Sequence, residues 1–175
     1  MTLPTETQQP QAAKETVILR RQGQAVHRTV TTNLKGVTHE ESLIQPHPGG
    51  NCINWVLGHL LSIYNQLLPL LGQKPATDPA TIERYKRGSH PITNASEARR
   101  FEELLSEWEE TVKRVDAGLA GMTAEQLEQL APQGPPLEPG DTVRDMLGVV
   151  LFHQGYHAGQ TGVLRRLVGK EGAIR

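Results

Sequence analysis

Residues 51–71 constrain the fold more than any other stretch of this chain. Ile53, Trp55, Val56, Leu57, Leu60, Leu61, Ile63, Tyr64, Leu67, Leu68 and Leu71 cover most of the circumference of a helix. A helix apolar over so wide an arc must be packed on several sides, whereas a surface helix needs only one apolar stripe. Its limits are marked. The run Gln45-Pro46-His47-Pro48-Gly49-Gly50-Asn51 cannot continue a helix and supplies an entry at Asn51, and Gly72 closes the far end.

The remaining segments supply the partners. A first helix is expected over 13–36, with Leu19, Val26, Val30, Leu34 and Val37 as its stripe. Gly72, Pro75, Pro79, Gly88 and Pro91 make 72–95 a long connection with room for one helical turn. A third helix is expected from Ser96, as its N-cap, to Ala120; Phe101, Leu104, Leu105, Trp108, Val112, Val115 and Leu119 form its apolar face, and its glutamates face solvent. Thr123 and Gln126 form the capping box of a short helix that ends near Leu130. After the break at 132–140, Asp141 or Thr142 caps a last helix that ends near Val168-Gly169. No alternating strand pattern appears. The expected fold is all-α: an antiparallel-type four-helix bundle with long connections and a short extra helix, as one domain over 13–175 behind a flexible tail at 1–12.

Charge and cysteine usage exclude several functions. Eighteen Lys and Arg against 19 Asp and Glu leave a formal charge of −1, without the basic excess of a nucleic-acid binder. No apolar run is long enough to span a bilayer, and the first residues lack the pattern of a secretory signal. The single cysteine, Cys52, has no intrachain disulfide partner. The expectation is a cytoplasmic protein with no nucleic-acid or membrane partner. Cys52 fits a small buried residue near a helix start better than a reactive thiol.

The chemistry lies in the histidines. His153 and His157 are four residues apart in the last helix, so their rings sit on one face, roughly 6 Å apart along the axis. Such a pair can face one cation, but the spacing alone leaves two satisfied histidines equally open. His59, in an i, i+4, i+8 row with Trp55 and Ile63, is the third candidate. If the two helices are neighbours, three imidazoles can leave a coordination position open, as catalytic zinc sites do. His39, His47 and His90 lie in turn-rich stretches and His27 in a mixed-polarity helix; all four are expected to be solvated.

Two blocks carry a resemblance. Asn54-Trp55-Val56-Leu57-Gly58-His59-Leu60, and His153-Gln154-Gly155-Tyr156-His157-Ala158-Gly159-Gln160 with Leu164-Arg165-Arg166-Leu167, resemble the DinB-like (DinB/YfiT-type) superfamily of metal-binding bundles. The resemblance implies a four-helix bundle, often a homodimer, that holds a divalent metal ion, zinc or nickel foremost, on His59, His153 and His157. It also implies a metal-dependent transferase or isomerase using a low-molecular-weight thiol such as mycothiol or bacillithiol, with an electrophilic small molecule as second substrate.

Bound to an open metal position, a thiol loses its proton and becomes a nucleophile at neutral pH. Water activation at the same position would make a hydrolase. No Asp or Glu lies on the apolar stripes beside the histidines to act as a base, which favours the thiol. A non-enzymatic metal-binding stress-response protein is the third alternative. Tyr64, Tyr156 and Gln160 are polar groups near the stripes; none is assigned a catalytic role. The apolar arc of 51–71, wider than one core face requires, suggests the surface of a dimer.

Overall fold

The computed structural model describes residues 8–132 and 137–174, with side chains from Lys14 onward. Its four long helices are α1 (Gln8–Leu34), α3 (Ile53–Leu67), α5 (Phe101–Gly121) and α7 (Val143–Leu167). Three short ones lie between them: α2 (His39–Ser42), α4 (Pro79–Arg84) and α6 (Ala124–Leu127). No strand occurs among the described residues, and one isolated bridge joins Leu130 to Thr142. The architecture is an all-α bundle.

Each long helix packs against two others. α1 touches α5 and α7, and α3 touches the same two, so α1 and α3 lie on one diagonal and α5 and α7 on the other. The directions differ from a simple alternating bundle. Arg144 pairs with Glu15 at one end of α7, and Arg165 donates to the Asn33 carbonyl at the other, so α1 and α7 run parallel. Asn54 bonds the Arg99 carbonyl just before α5, Tyr64 stacks on Trp108, and Gly118 meets Leu71, so α3 and α5 also run parallel. Parallel neighbours require a return crossing, and residues 68–100 make it along the bundle with α4 packed on α3.

α3 is buried almost all round, with only Ile63 and Gln66 of its fifteen residues outside the buried class. The wide apolar arc is therefore covered within the chain by α2, α4, α5 and α7. It leaves no spare face on α3 for a partner. Large exposed apolar side chains instead project from α7: Phe152 (77%), Tyr156 (59%), Val163 (58%) and Leu167 (55%).

Several boundaries differ from those expected. The expected tail lies partly outside the described residues, but 8–12 belong to α1. Gln and Ala favour a helix there, and Pro10 falls in the first turn, where the backbone N–H has no helical acceptor to lose. Cys52, not Asn51, is the N-cap of α3, without a side-chain bond. That helix stops at Leu67 because Pro69 lacks an N–H; a looser turn follows, closed by Gly72 at φ +68. Ser96 caps nothing. It lies in a 3-10 turn (Ala95–Glu97) capped by Asn94, and extended backbone at Ala98 and Arg100 delays α5 to Phe101. Thr123 with Gln126 and Thr142 with Asp145 form complete capping boxes.

Candidate metal centre

His59 lies in the middle of α3, 3% exposed, and faces His153 and His157 on α7, both half-buried. One ligand atom from each of the three lies within 4.8 Å of the other two, a group that could hold one metal ion. The His59 and His153 Nε2 atoms are 3.2 Å apart. Two nitrogens bound to one tetrahedral ion at about 2.1 Å would be roughly 3.4 Å apart, close to this spacing, which without an ion is that of an N–H···N hydrogen bond.

Hydrogen bonds outside the triad set which nitrogen each ring presents. His59 Nδ1–H donates to the Tyr85 carbonyl at 2.8 Å, which leaves the Nε2 lone pair facing the other two rings. His157 Nδ1–H donates to Gln160 Oε1 at 2.6 Å, with the same consequence. His153 Nδ1 is buried without a partner; because the His59 Nε2 lone pair faces it, His153 Nε2 carries the proton of their 3.2 Å hydrogen bond, and offering Nε2 to an ion would move that proton to the free Nδ1. Trp55 stacks on His59 at 4.8 Å between centroids and 19° between planes, which restrains the ring. The Trp55 indole N–H donates to Ser89 Oγ at 3.1 Å.

All three imidazoles are pushed toward the neutral form. Burial is the main cause throughout, and it pushes His153 down to about 4 with help from the charges of His157, His59 and Arg87. His59 is lowered by burial, then by His157 and Arg87, against the opposing bond to Tyr85. His157 is lowered by burial, with the Gln160 bond opposing. Neutral imidazole is the form that binds a metal. Two pinned lone pairs and a third converging ring, whose Nδ1 has no partner and can take up a displaced proton, fit a divalent cation.

Tyr85 is the contributor that sequence reasoning missed. It follows α4 inside the expected connection, and its ring lies on α3 at Gly58, where an added Cβ would come within 2.3 Å of the ring. The Tyr85 hydroxyl donates to Asn54 Oδ1 at 2.7 Å and accepts from the Arg99 N–H at 2.9 Å. This fixes the carbonyl that orients His59. A signal existed in the sequence: glycine inside a helix costs about 1 kcal/mol relative to alanine and marks a close approach.

Other candidates are placed elsewhere. His27 is buried rather than solvated (9% exposed), bonded to the Tyr64 hydroxyl at 3.0 Å and edge-on to Tyr64 and Trp108. It faces the core because α1 packs on two helices, which buries more than the narrow stripe expected. Tyr64 thus belongs to this cluster and not to the triad. His39 is half-buried, and its Nδ1 accepts the Phe101 N–H at 3.2 Å, capping α5 from a distant segment. His47 and His90 are exposed. Cys52 is fully buried, and burial pushes its thiol up, away from the thiolate.

Fold and site together define a helical bundle with a three-histidine group able to hold a metal. The sequence profile of the DinB superfamily matches residues 22–161, and the chain belongs to that superfamily. No curated protein matches the sequence. No helix among the described residues is long and apolar enough to cross a membrane.

Proposed function

We propose that the protein is a divalent-metal-dependent thiol S-transferase of the cytoplasm, with the ion, zinc or nickel, held by His59, His153 and His157. The observation that carries this is the triad itself: three imidazoles that burial pushes toward the neutral form converge between one buried and two half-buried positions, and among the described residues no carboxylate or thiol joins the group. When bound, the cation supplies the positive charge that turns a thiol into a thiolate at neutral pH. The chain's own residues orient and protect. The Tyr85 carbonyl and Gln160 hold two rings in the ligating tautomer, Trp55 limits rotation of His59, and α3 shields one side from water. The nucleophile comes with the substrate, since Cys52 is sealed in the core as a thiol. A hydrolase would need a base beside the ion, and among the described residues no Asp or Glu lies within the group.

Thiol consumption with a generic electrophile tests the proposal, using chelator-treated and zinc- or nickel-reloaded protein. Restored, metal-dependent turnover supports it. A metal-loaded protein inert with every low-molecular-weight thiol leaves the non-enzymatic metal-binding role.

We also propose a homodimer formed through the outer face of α7. Phe152, Tyr156 and Val163 are exposed there, and open space around Gly148 and Gly159 permits close helix approach. Sedimentation should give a dimer that Phe152→Glu converts to monomer; a monomeric wild type at micromolar concentration removes the proposal.

A further inference from the structure

The Tyr85 carbonyl accepts from His59 Nδ1–H at 2.8 Å, so whatever holds Tyr85 in place also holds that ligand. Tyr85 is the C-cap of α4, and Asp78 is its N-cap. One residue, Arg99, binds both ends of this short helix. At the C-terminal end the Arg99 N–H donates to the Tyr85 hydroxyl at 2.9 Å. That hydroxyl donates to Asn54 Oδ1 at 2.7 Å, and Asn54 Nδ2 donates back to the Arg99 carbonyl at 2.9 Å. The three residues close a ring of hydrogen bonds on α3, and Tyr85 and Asn54 are fully buried.

At the N-terminal end the guanidinium makes the tie. Its Nη1 donates to Asp78 Oδ2 at 2.7 Å and to Thr81 Oγ1, beside the bond by which Asp78 caps α4. The other nitrogens reach α5, Nη2 to Glu107 at 2.9 Å and Nε to Glu103 at 3.1 Å. A single exposed ion pair contributes little, but a planar fork spanning three carboxylates fixes a geometry that one ammonium group cannot copy. Arg114 offers the contrast. It also joins the crossing to α5, donating to the Lys74 and Pro75 carbonyls, both at 2.9 Å, and to Glu110 at 2.8 Å. Its side chain is about as exposed as that of Arg99, 31% against 33%, yet it grips the segment ahead of α4.

We propose that Arg99 is a positioning residue of the metal centre: by holding α4 at both ends it fixes the Tyr85 carbonyl, and through it the His59 ring, and so sets the affinity for the ion. The inference rests on the three-histidine metal site and is independent of thiol transfer. Arg99 acts only through Tyr85.

The test uses the full chain freed of metal and titrated with cobalt(II) against a competing chelator, with the visible absorption of bound cobalt as readout. Urea unfolding and the His59 Nδ1–H signal in nitrogen-15 NMR are measured on each metal-free variant. Arg99→Met should weaken cobalt binding about tenfold, the lower end of the effect of losing an outer partner of a ligand. It should also speed solvent exchange of the His59 Nδ1 proton. Asp78→Asn keeps a capping oxygen but removes the charge opposite Arg99, and should move both readouts the same way by less. Arg114→Met should lower stability comparably while leaving affinity and exchange at wild-type levels. If Arg99→Met does not fold, Asp78→Asn against Arg114→Met decides. Wild-type affinity in the Arg99 and Asp78 variants, or an equal loss in Arg114→Met, overturns positioning by Arg99 and leaves the metal centre standing. A wild-type protein that binds no cobalt overturns the metal centre and this inference with it.

Discussion

The molecule buries histidine in two places, and the two clusters behave differently. At the triad, His59, His153 and His157 turn ring nitrogens toward one another, two of them in tautomers set by Tyr85 and Gln160. In the core, His27 stands alone between Tyr64 and Trp108 and gives its Nε2 to the Tyr64 hydroxyl. Burial holds both His27 and His153 down to about 4. A depressed pKa therefore does not distinguish a metal site from a packed aromatic cluster. Convergence of lone pairs does, because a cation needs several donors aimed at one point, whereas a buried neutral ring needs only one hydrogen-bond partner.

The sharpest way to break this comparison is to remove one imidazole from each cluster. His59→Ala, His153→Ala or His157→Ala should reduce the metal content of the purified protein to trace levels, while His27→Gln and His39→Ala should retain it, as measured by elemental analysis. Equal metal in all five variants would place any ion elsewhere.

A second experiment separates ligand orientation from ligand identity. Gly58→Ala forces a methyl group into the Tyr85 ring, 2.3 Å from the nearest ring carbon in the present geometry. Overpacking of this kind costs about 1–3 kcal/mol. Displacing the Tyr85 carbonyl should also weaken metal binding by about 10–100-fold, the usual effect of losing an outer-shell partner. Urea unfolding and metal titration measure the two effects; unchanged affinity would show that His59 needs no carbonyl to orient it.

The core cluster has its own signature in pH. Burial pulls the His27 pKa from its ordinary value of 6.5 down to about 4 in the folded chain. The unfolded chain thus binds more protons between those values, so the stabilisation from neutral His27 is present above pH 6.5 and lost as pH falls toward 4. The loss is on the order of 3 kcal/mol. His27→Phe should flatten this part of the stability profile relative to wild type in paired urea titrations. Identical slopes would mean that His27 is not buried as a neutral ring.

The smallest effect is expected at Cys52. Cys52→Ala should leave any thiol-transfer rate nearly intact and cost roughly 1 kcal/mol of stability for a small buried side chain. Loss of turnover in a folded, metal-loaded Cys52 variant would move the nucleophile onto the protein.

Much of the bundle is legible in the residue order. Apolar periodicity locates the four long helices, the complete capping boxes at Thr123 and Thr142 mark two starts, and Gly72 marks the close of the turn after α3. These features are local, set by side chains within one or two helical turns of each other. Ser96 shows where local reasoning stops: as a capping residue it is plausible, but α5 begins at Phe101, where the His39 side chain arrives from another part of the chain.

The candidate site divides along the same line. The spacing of His153 and His157, with His59 in a second amphipathic segment, is in the sequence, and so is the family. Periodicity says which face of a helix is buried, but not which neighbour covers it or in which direction that neighbour runs. The parallel pairing of α1 with α7 and of α3 with α5, the burial of His27, and the return of residues 68–100 over α3 all depend on that choice. Tertiary packing alone brings the Tyr85 carbonyl to His59 and the three imidazoles to one another, because contacts between residues far apart in sequence are decided by the competition of whole surfaces for burial.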